Sequence, residues 1–339
     1  MYLDFYGLRE KPFNTTPDPR FLFLTPSHRE ALAQLMYGVQ EGTGFAILTG
    51  EVGTGKTTLL HTLLQRMDPQ IAVAMIVNPM LGFDGLLELI LEDLGVGTGG
   101  DTTARRLVAL HRFLLERAAA GHRTVLIIDE AQHLDPTTLE QIRLLSNYES
   151  PSRKLLQIIL AGQPELEAKL ALPQLRQLKQ RIGLRCAIQP LMPRETRDYI
   201  TARLRIAKAA NPRLFTERAV DRISTYARGI PRLVNIACEH SLLIGYADQI
   251  RQIDHRVVKE AVRTIEARES SAGRRRTGWW KPHPGRWRWI LGAGVAVVAG
   301  TVGGAVWYTG GTSVVGEVMS TYGTRVGDVF DGVQTLLRP

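Results

Sequence analysis

Gly50-Glu51-Val52-Gly53-Thr54-Gly55-Lys56-Thr57 satisfies the pattern GxxxxGK[ST] at every fixed position. The pattern is informative only between a strand and a helix, and both neighbours are present. Phe45–Thr49 is an apolar run, and Thr57–Met67 carries helical periodicity. Glycines at these positions let successive backbone N–H groups close around phosphate oxygens, and the dipole of the following helix favours the anion. Lys56 is placed for the β- and γ-phosphates of a nucleotide, and the Thr57 hydroxyl for Mg²⁺. The nucleotide-binding set read from this stretch is Gly50, Glu51, Val52, Gly53, Thr54, Gly55, Lys56, Thr57 and Thr58.

Such a loop needs a second strand that ends in acid, and Thr124-Val125-Leu126-Ile127-Ile128-Asp129-Glu130 supplies it. Asp129 stands where a carboxylate holds the Mg²⁺ shell, so Thr57 and Asp129 form the predicted metal pair. Glu130 stands where a carboxylate orients and deprotonates an attacking water. In GTPase-type switches that task falls elsewhere, so the Asp-Glu pair favours ATP. His133 is a lone histidine and receives no role.

Outward from this centre the chain alternates. Ile71–Val77 and Leu155–Ala161 are further apolar runs with the look of buried parallel strands. Helical patterns fill the intervals at Phe83–Leu94, at Thr103–Ala120 and after Asp135-Pro136. From about Pro193 the strands stop, and helical patterns follow at 194–209, 216–228, 231–247 and 254–267, with Thr216 and Asp254 as N-caps. The expected organisation is an α/β core with a parallel sheet over 1–192 and a small all-α lid over 193–267. Cys186 and Cys238 are too few for a disulfide framework and read as reduced core residues.

The last quarter has a different character. Trp289–Tyr308 is 20 residues without a charge, about 30 Å as a helix and enough to cross a bilayer. Trp287, Trp289, Trp307 and Tyr308 stand at its ends, where amphipathic rings prefer to sit. Before it, Arg268–Arg288 holds seven basic residues against Glu269 alone; after it, 309–339 is slightly acidic. The asymmetry predicts a single-pass protein of the bacterial inner membrane, with 268–288 a basic juxtamembrane linker, 289–308 the span and 309–339 an extracytoplasmic tail. Residues 1–288 then face the cytoplasm. The opening Met1-Tyr2-Leu3-Asp4-Phe5-Tyr6 lacks the basic start and apolar stretch of a secretory signal. Gly292, Ala296, Gly300 and Gly304 share one face of the span, as helix-pairing small residues do and as any Gly-rich membrane helix does. In the tail, Val315, Met319, Tyr322, Val326, Val329, Val333 and Leu336 keep a 3.5-residue period, an amphipathic helix in need of a partner or a membrane surface.

Net charge is +9, but the basic linker carries most of the excess and 1–267 is left at +4. That is no concentrated footprint for nucleic acid. The linker charge is accounted for by topology and anionic lipid.

Several stretches together resemble one family. Phe5-Tyr6-Gly7-Leu8, Lys11-Pro12-Phe13, Pro17-Asp18-Pro19-Arg20-Phe21, His28-Arg29-Glu30-Ala31, the phosphate loop, Asp129-Glu130-Ala131-Gln132 and Ala161-Gly162-Gln163-Pro164-Glu165-Leu166 look like the AAA+ ATPases of the general secretion pathway protein A (ExeA-like) group. Relatives of that group serve pilus and exosortase loci. The resemblance covers 1–267 and implies a homo-oligomer with ATP at subunit interfaces and a role in envelope secretion, pilus or exopolysaccharide export. It makes Leu155–Ala161 the sensor-1 strand with Gln163 near the γ-phosphate, where Asn or Thr is usual. It matches Arg181 to the arginine finger, with Arg176 and Arg185 as rivals, and Gly229-Ile230-Pro231-Arg232 to sensor 2. Adenine then lies between the N-terminal segment and the lid, where Phe13 and Phe21 are either its neighbours or core anchors. Larger members add a peptidoglycan-binding domain after the membrane helix; 31 residues follow it here. Two other expectations compete: a DNA-associated regulator of the transposition type, and a nucleotide-gated scaffold with little turnover.

Overall fold

Each of the four apolar runs forms a strand: β1 (Phe45–Thr49), β2 (Ala72–Ile76), β3 (Thr124–Ile128) and β6 (Leu156–Gly162). A fifth, β7 (Ile182–Ala187), completes a sheet of order β2-β3-β6-β1-β7, with every pair parallel. The short strands β4 (Glu149–Ser150) and β5 (Arg153–Lys154) make a separate antiparallel hairpin. The computed structural model describes residues 2–14, 18–97, 100, 102–150 and 153–277. The predicted span 289–308 and the tail 309–339 lie outside the described residues, as does 278–288 of the linker. Among the described residues no helix is long and apolar enough to cross a membrane.

β7 was not expected from sequence. Ile182-Gly183-Leu184-Arg185-Cys186-Ala187 alternates instead of running apolar, because an edge strand here faces the core only through Ile182, Leu184 and Cys186. Gly183 is the residue its register skips between Phe45↔Ile182 and Ala46↔Leu184.

The central strands are buried on both faces, so their alternate residues serve two cores. Phe45, Ile47, Leu126, Ile128, Ile158 and Leu160 pack on one side. There the sheet is covered by α4 (Phe83–Asp93), α5 (Thr103–Ala119), α6 (Pro136–Leu145), α7 (Pro164–Leu170) and α8 (Arg176–Arg181). Ala46, Leu48, Val125, Ile127, Ile159 and Ala161 pack on the other, beneath α2 (Pro26–Glu41) and α3 (Lys56–Arg66). Thr25 caps α2, Thr102 caps α5 and Asp135 caps α6, each hydroxyl or carboxylate accepting from a backbone N–H of the first turn.

Four helices follow the sheet: α9 (Pro193–Ile206), α10 (Glu217–Ala227), α11 (Pro231–Ala247) and α12 (His255–Thr277). Thr216 caps α10, and the Asp254 carboxylate accepts from the N–H groups of Arg256 and Val257. α12 runs ten residues past the expected end at 267, since Ala267–Ser271 offers no Gly or Pro to stop it. The third core lies among these helices and includes the N-terminal helix α1 (Tyr2–Tyr6). Tyr2 donates to Glu239, and Tyr6 Oη to the carbonyl of Ile250 at 3.1 Å. Phe13, 1% exposed, meets Phe215 edge to face and is a core anchor. Residues 1–268 form one compact unit. Both cysteines are buried and free, and burial pushes the Cys186 thiol up to about 11.

Candidate nucleotide site

The carboxyl ends of β1, β3 and β6 converge, and the sequence places its reactive groups at those three ends. In an open parallel sheet this edge is where ligands bind. The loop 50–55 leaves β1, turns through Gly53 (φ 82°) and Gly55 (φ 102°), and starts α3 at Lys56. A side chain at Gly53 would also collide: its Cβ would lie 2.6 Å from Arg232 Cβ. The Arg232 N–H donates to Gly53 O at 3.2 Å, so the phosphate loop and the first turn of α11 touch directly.

Lys56 is nearly buried, and its ammonium donates to the carbonyls of Gly50 (2.8 Å) and Glu51 (3.1 Å). Burial pushes its pKa down, against the opposing pull of Glu130, Asp129, Glu51 and Glu165. The Thr57 hydroxyl donates to Asp129 Oδ2 at 2.6 Å. Glu130 takes a left-handed backbone (φ 51°), and its N–H donates to Asp129 Oδ1 at 2.9 Å. Its carboxylate Oε2 accepts from two amides, Gln132 Nε2 and, at 3.3 Å, Gln163 Nε2. Burial pushes Glu130 up, but the two amide donors and the Lys56 charge outweigh it, and the carboxyl sits below its ordinary range.

These groups face a cleft of about 390 Å³. Its floor is Val52–Thr58 and Glu130, and its far wall is Tyr199, Arg203, Pro231, Arg232 and Asn235. Asn14, Asp18 and Phe21 of the N-terminal segment close one end. The cavity is thus lined by Val52–Thr58 of the phosphate loop, Glu130 and Arg232, while Asp129 and Gln163 do not line it and reach it through their hydrogen bonds to Thr57 and Glu130. Arg176, Arg181 and Arg185 do not line it: Arg181 Nη1 donates to Ser146 Oγ at 2.8 Å, and Arg185 pairs with Glu167 at 2.6 Å.

Three groups of residues at the site were not singled out in the sequence. The first is a buried network on the far wall. Arg203 donates to Tyr199 Oη (2.7 Å), to Asn14 O (3.2 Å) and to Pro12 O, and its guanidinium lies 4.8 Å from the Phe21 ring centre. Tyr199 in turn donates to Asn235 Oδ1 at 2.9 Å. Phe21 thus lines the cleft beside the cation that packs on its ring. The second is His28, 3% exposed, with Nε2 3.0 Å from Thr54 O and Nδ1 2.6 Å from Thr25 Oγ1. A carbonyl only accepts, so Nε2 carries the proton and Nδ1 accepts from the hydroxyl. Burial pushes the His28 pKa down, which keeps the ring neutral. The third is Gln132, quoted within a motif but given no task.

The donor set fits Mg²⁺ with a nucleotide. A hydroxyl and a carboxylate converge at one point, both hard oxygen ligands, and among the described residues no cluster of three or more His, Cys, Asp or Glu could hold a metal. Two protein oxygens suit an ion that takes its remaining ligands from phosphates and water.

Fold and site are those of a P-loop AAA core with a parallel sheet. Residues 39–170 match the family described as AAA domain. Within that class the chain is a relative of general secretion pathway protein A: it is 44% identical to that protein of Aeromonas hydrophila over 256 residues. The match takes in 75% of this chain but 47% of the relative, so the chain spans about half the relative's length. The fold also matches the ORC2 protein of Aeropyrum pernix in ADPNP-ADP complexes, with TM-score 0.58 and 19% identity over 77% of this chain and 73% of that one. Cdc6p from Pyrobaculum aerophilum is similar, with TM-score 0.57 and 19% identity over 71% and 67% of the two chains.

Proposed function

We propose that this chain is a Mg²⁺-dependent ATPase, anchored in the inner membrane, that drives assembly or operation of an envelope export system. The observation that carries the chemistry is the convergence of Lys56, the Thr57–Asp129 pair and Glu130 on one cleft. The kinship with a general secretion pathway protein supports the setting.

In this reading the backbone of 50–56 holds the α- and β-phosphates, and Lys56 leaves its two loop carbonyls to meet the β- and γ-phosphates. Thr57 and Asp129 would hold Mg²⁺, whose chemistry is to neutralise charge on the phosphate oxygens. Glu130 accepts the proton of the attacking water. Arg232 approaches the phosphates from α11, Gln163 stands beside Glu130, and the adenine lies against Phe21. Arg181 serves the site of a neighbouring subunit in a homo-oligomer, after giving up Ser146. The core is 1–192, the lid 193–267, and the linker 268–288, span 289–308 and tail 309–339 connect turnover to envelope partners. Nucleic acid has no part in it.

The deciding experiment is a trap in native membranes. Glu130→Gln protein is cross-linked in ATP, extracted with detergent, and its bound partners are identified. Secretin, pilus or exopolysaccharide-export components are the expected result. Recovery from the soluble fraction with DNA and a transposase overturns the proposal.

A further inference from the structure

The structure assigns Gln132 a task in the same reaction: it is the positioning residue that fixes the Glu130 carboxylate to the end of strand β6. The inference rests on the ATPase reading above, and it names a residue which that reading leaves idle.

Gln132 reaches both ways. Its amide Nε2 donates to Glu130 Oε2, and its Oε1 accepts from the backbone N–H of Gln163 at 3.1 Å. One planar amide therefore ties the carboxylate at the end of β3 to the backbone at the end of β6. The two strands are neighbours in the sheet, with Ile128 opposite Leu160, so the tether spans rigid elements.

The space for that amide is built in. At Gly162 a Cβ would lie 2.7 Å from Gln132 Oε1, and 3.0 Å from Leu166 Cδ2 on the other side. Gly162 is ordinary extended strand, so its lack of a side chain serves this contact and no special turn. The backbone at Gln132 is held as well: the Lys169 ammonium donates to Gln132 O and, at 2.6 Å, to Leu134 O. Lys169 lies on α7, which starts immediately after Gln163. Apart from Glu130, the groups that hold Gln132 thus come from Gln163, between β6 and α7, and from Lys169 on α7.

The arrangement fixes direction as well as distance. Glu130 sits in a left-handed backbone conformation, which aims its side chain away from the line of β3. A carboxylate on such a corner has free χ rotations, and accurate positioning of a base needs them removed. Gln132 and Gln163 remove them by holding one oxygen, Oε2, from the β6 side. In the ATPase reading it is the carboxylate so held, lining the cleft, that takes the proton of the water.

The test uses the whole chain and steady-state turnover. Gln132→Met keeps the volume and loses both hydrogen bonds. The expected result is a kcat lower by about ten- to a hundredfold, with KM for ATP and melting temperature unchanged. Gly162→Ala reaches the same tether by pushing on its oxygen, and is expected to lower kcat in the same way while Gln132 is intact. The discriminating measurement is the double mutant Gln132→Met/Glu130→Gln, assayed by single turnover. If Gln132 acts through Glu130, Gln132→Met adds nothing once Glu130→Gln is in place, and the double mutant turns over at the rate of Glu130→Gln alone. Full additivity, a kcat at the wild-type level in Gln132→Met, or a loss explained by melting, overturns the inference. Absence of turnover in the wild-type chain with Mg²⁺ and ATP strikes at the ATPase reading instead, so the two failures are distinct.

Discussion

The two walls of the cleft are made in opposite ways. The phosphate-loop wall is local: Lys56 bonds to carbonyls five and six residues back, and Thr54 Oγ1 to Glu51 O three residues back. The far wall is assembled from pieces distant in the chain. Arg203 holds Asn14 from 189 residues away and Pro12 from 191, and Tyr199 reaches Asn235. A wall made locally is set by its own sequence and carries chemistry. The long-range network of Arg203, Tyr199 and Asn235 depends on the whole unit and carries stability, although Arg232 beside it is proposed to meet the phosphates. The contrast teaches where mutations should strike rate and where they should strike folding.

That division can be broken by experiment, beginning where the largest change is expected. Glu130→Gln should keep nucleotide binding and lower kcat by about 10² to 10³, read by phosphate release. An undiminished rate ends the assignment of Glu130 as base. Lys56→Ala should weaken nucleotide binding by about a hundredfold or more, roughly 3 kcal/mol for a lost charge-assisted contact, with melting temperature of the free protein little altered. Arg203→Ala should do the reverse. It removes the donors to the carbonyls of Pro12 and Asn14 and the cation beside Phe21, so about 2–4 kcal/mol of stability should go, measured by urea unfolding. If Arg203→Ala instead lost turnover at full stability, the far wall would be chemical and the contrast would fail.

A pH series sharpens it further at His28, which joins the loop to α2. Its folded pKa is depressed below the ordinary 6.5, so the unfolded chain takes up the proton first. Its contribution is fully present above 6.5 and is lost as pH falls from there through the folded value. His28→Gln should flatten that part of the stability–pH curve. The smallest effect is expected at Arg185→Ala: the ion pair with Glu167 is 39% and 40% exposed, and its loss should change stability by no more than about 0.5 kcal/mol.

The same division governs what could be read from the chain. The phosphate loop, the β3 carboxylates, four of the five strands of the main sheet and the helices after Pro193 were legible, because each is a local pattern of glycines, apolar runs or period. β7 was not, since an alternating edge strand with Gly183 and Arg185 lacks the apolar run of its buried neighbours. The Arg203 network was not, because nothing in Tyr199-Ile200-Thr201-Ala202-Arg203 announces a partner at Pro12. Phe13 and Phe21 show the limit in one pair. Both stand in the opening motif, yet only packing separates the first, buried against Phe215, from the second, which walls the cleft.

The placement of α1 sets a timetable for synthesis. Its partners are Glu239, Leu242 and Ile250, so Tyr2 and Tyr6 leave the ribosome some 236 to 244 residues before the groups they bond to. At the ordinary pace of translation that is a wait of roughly 10–50 s. For that interval the first helix is an apolar and aromatic segment with no surface to cover it. The residues of α1 are made early in the unit and put in place late, and the unit closes only when α11 and the segment after it arrive.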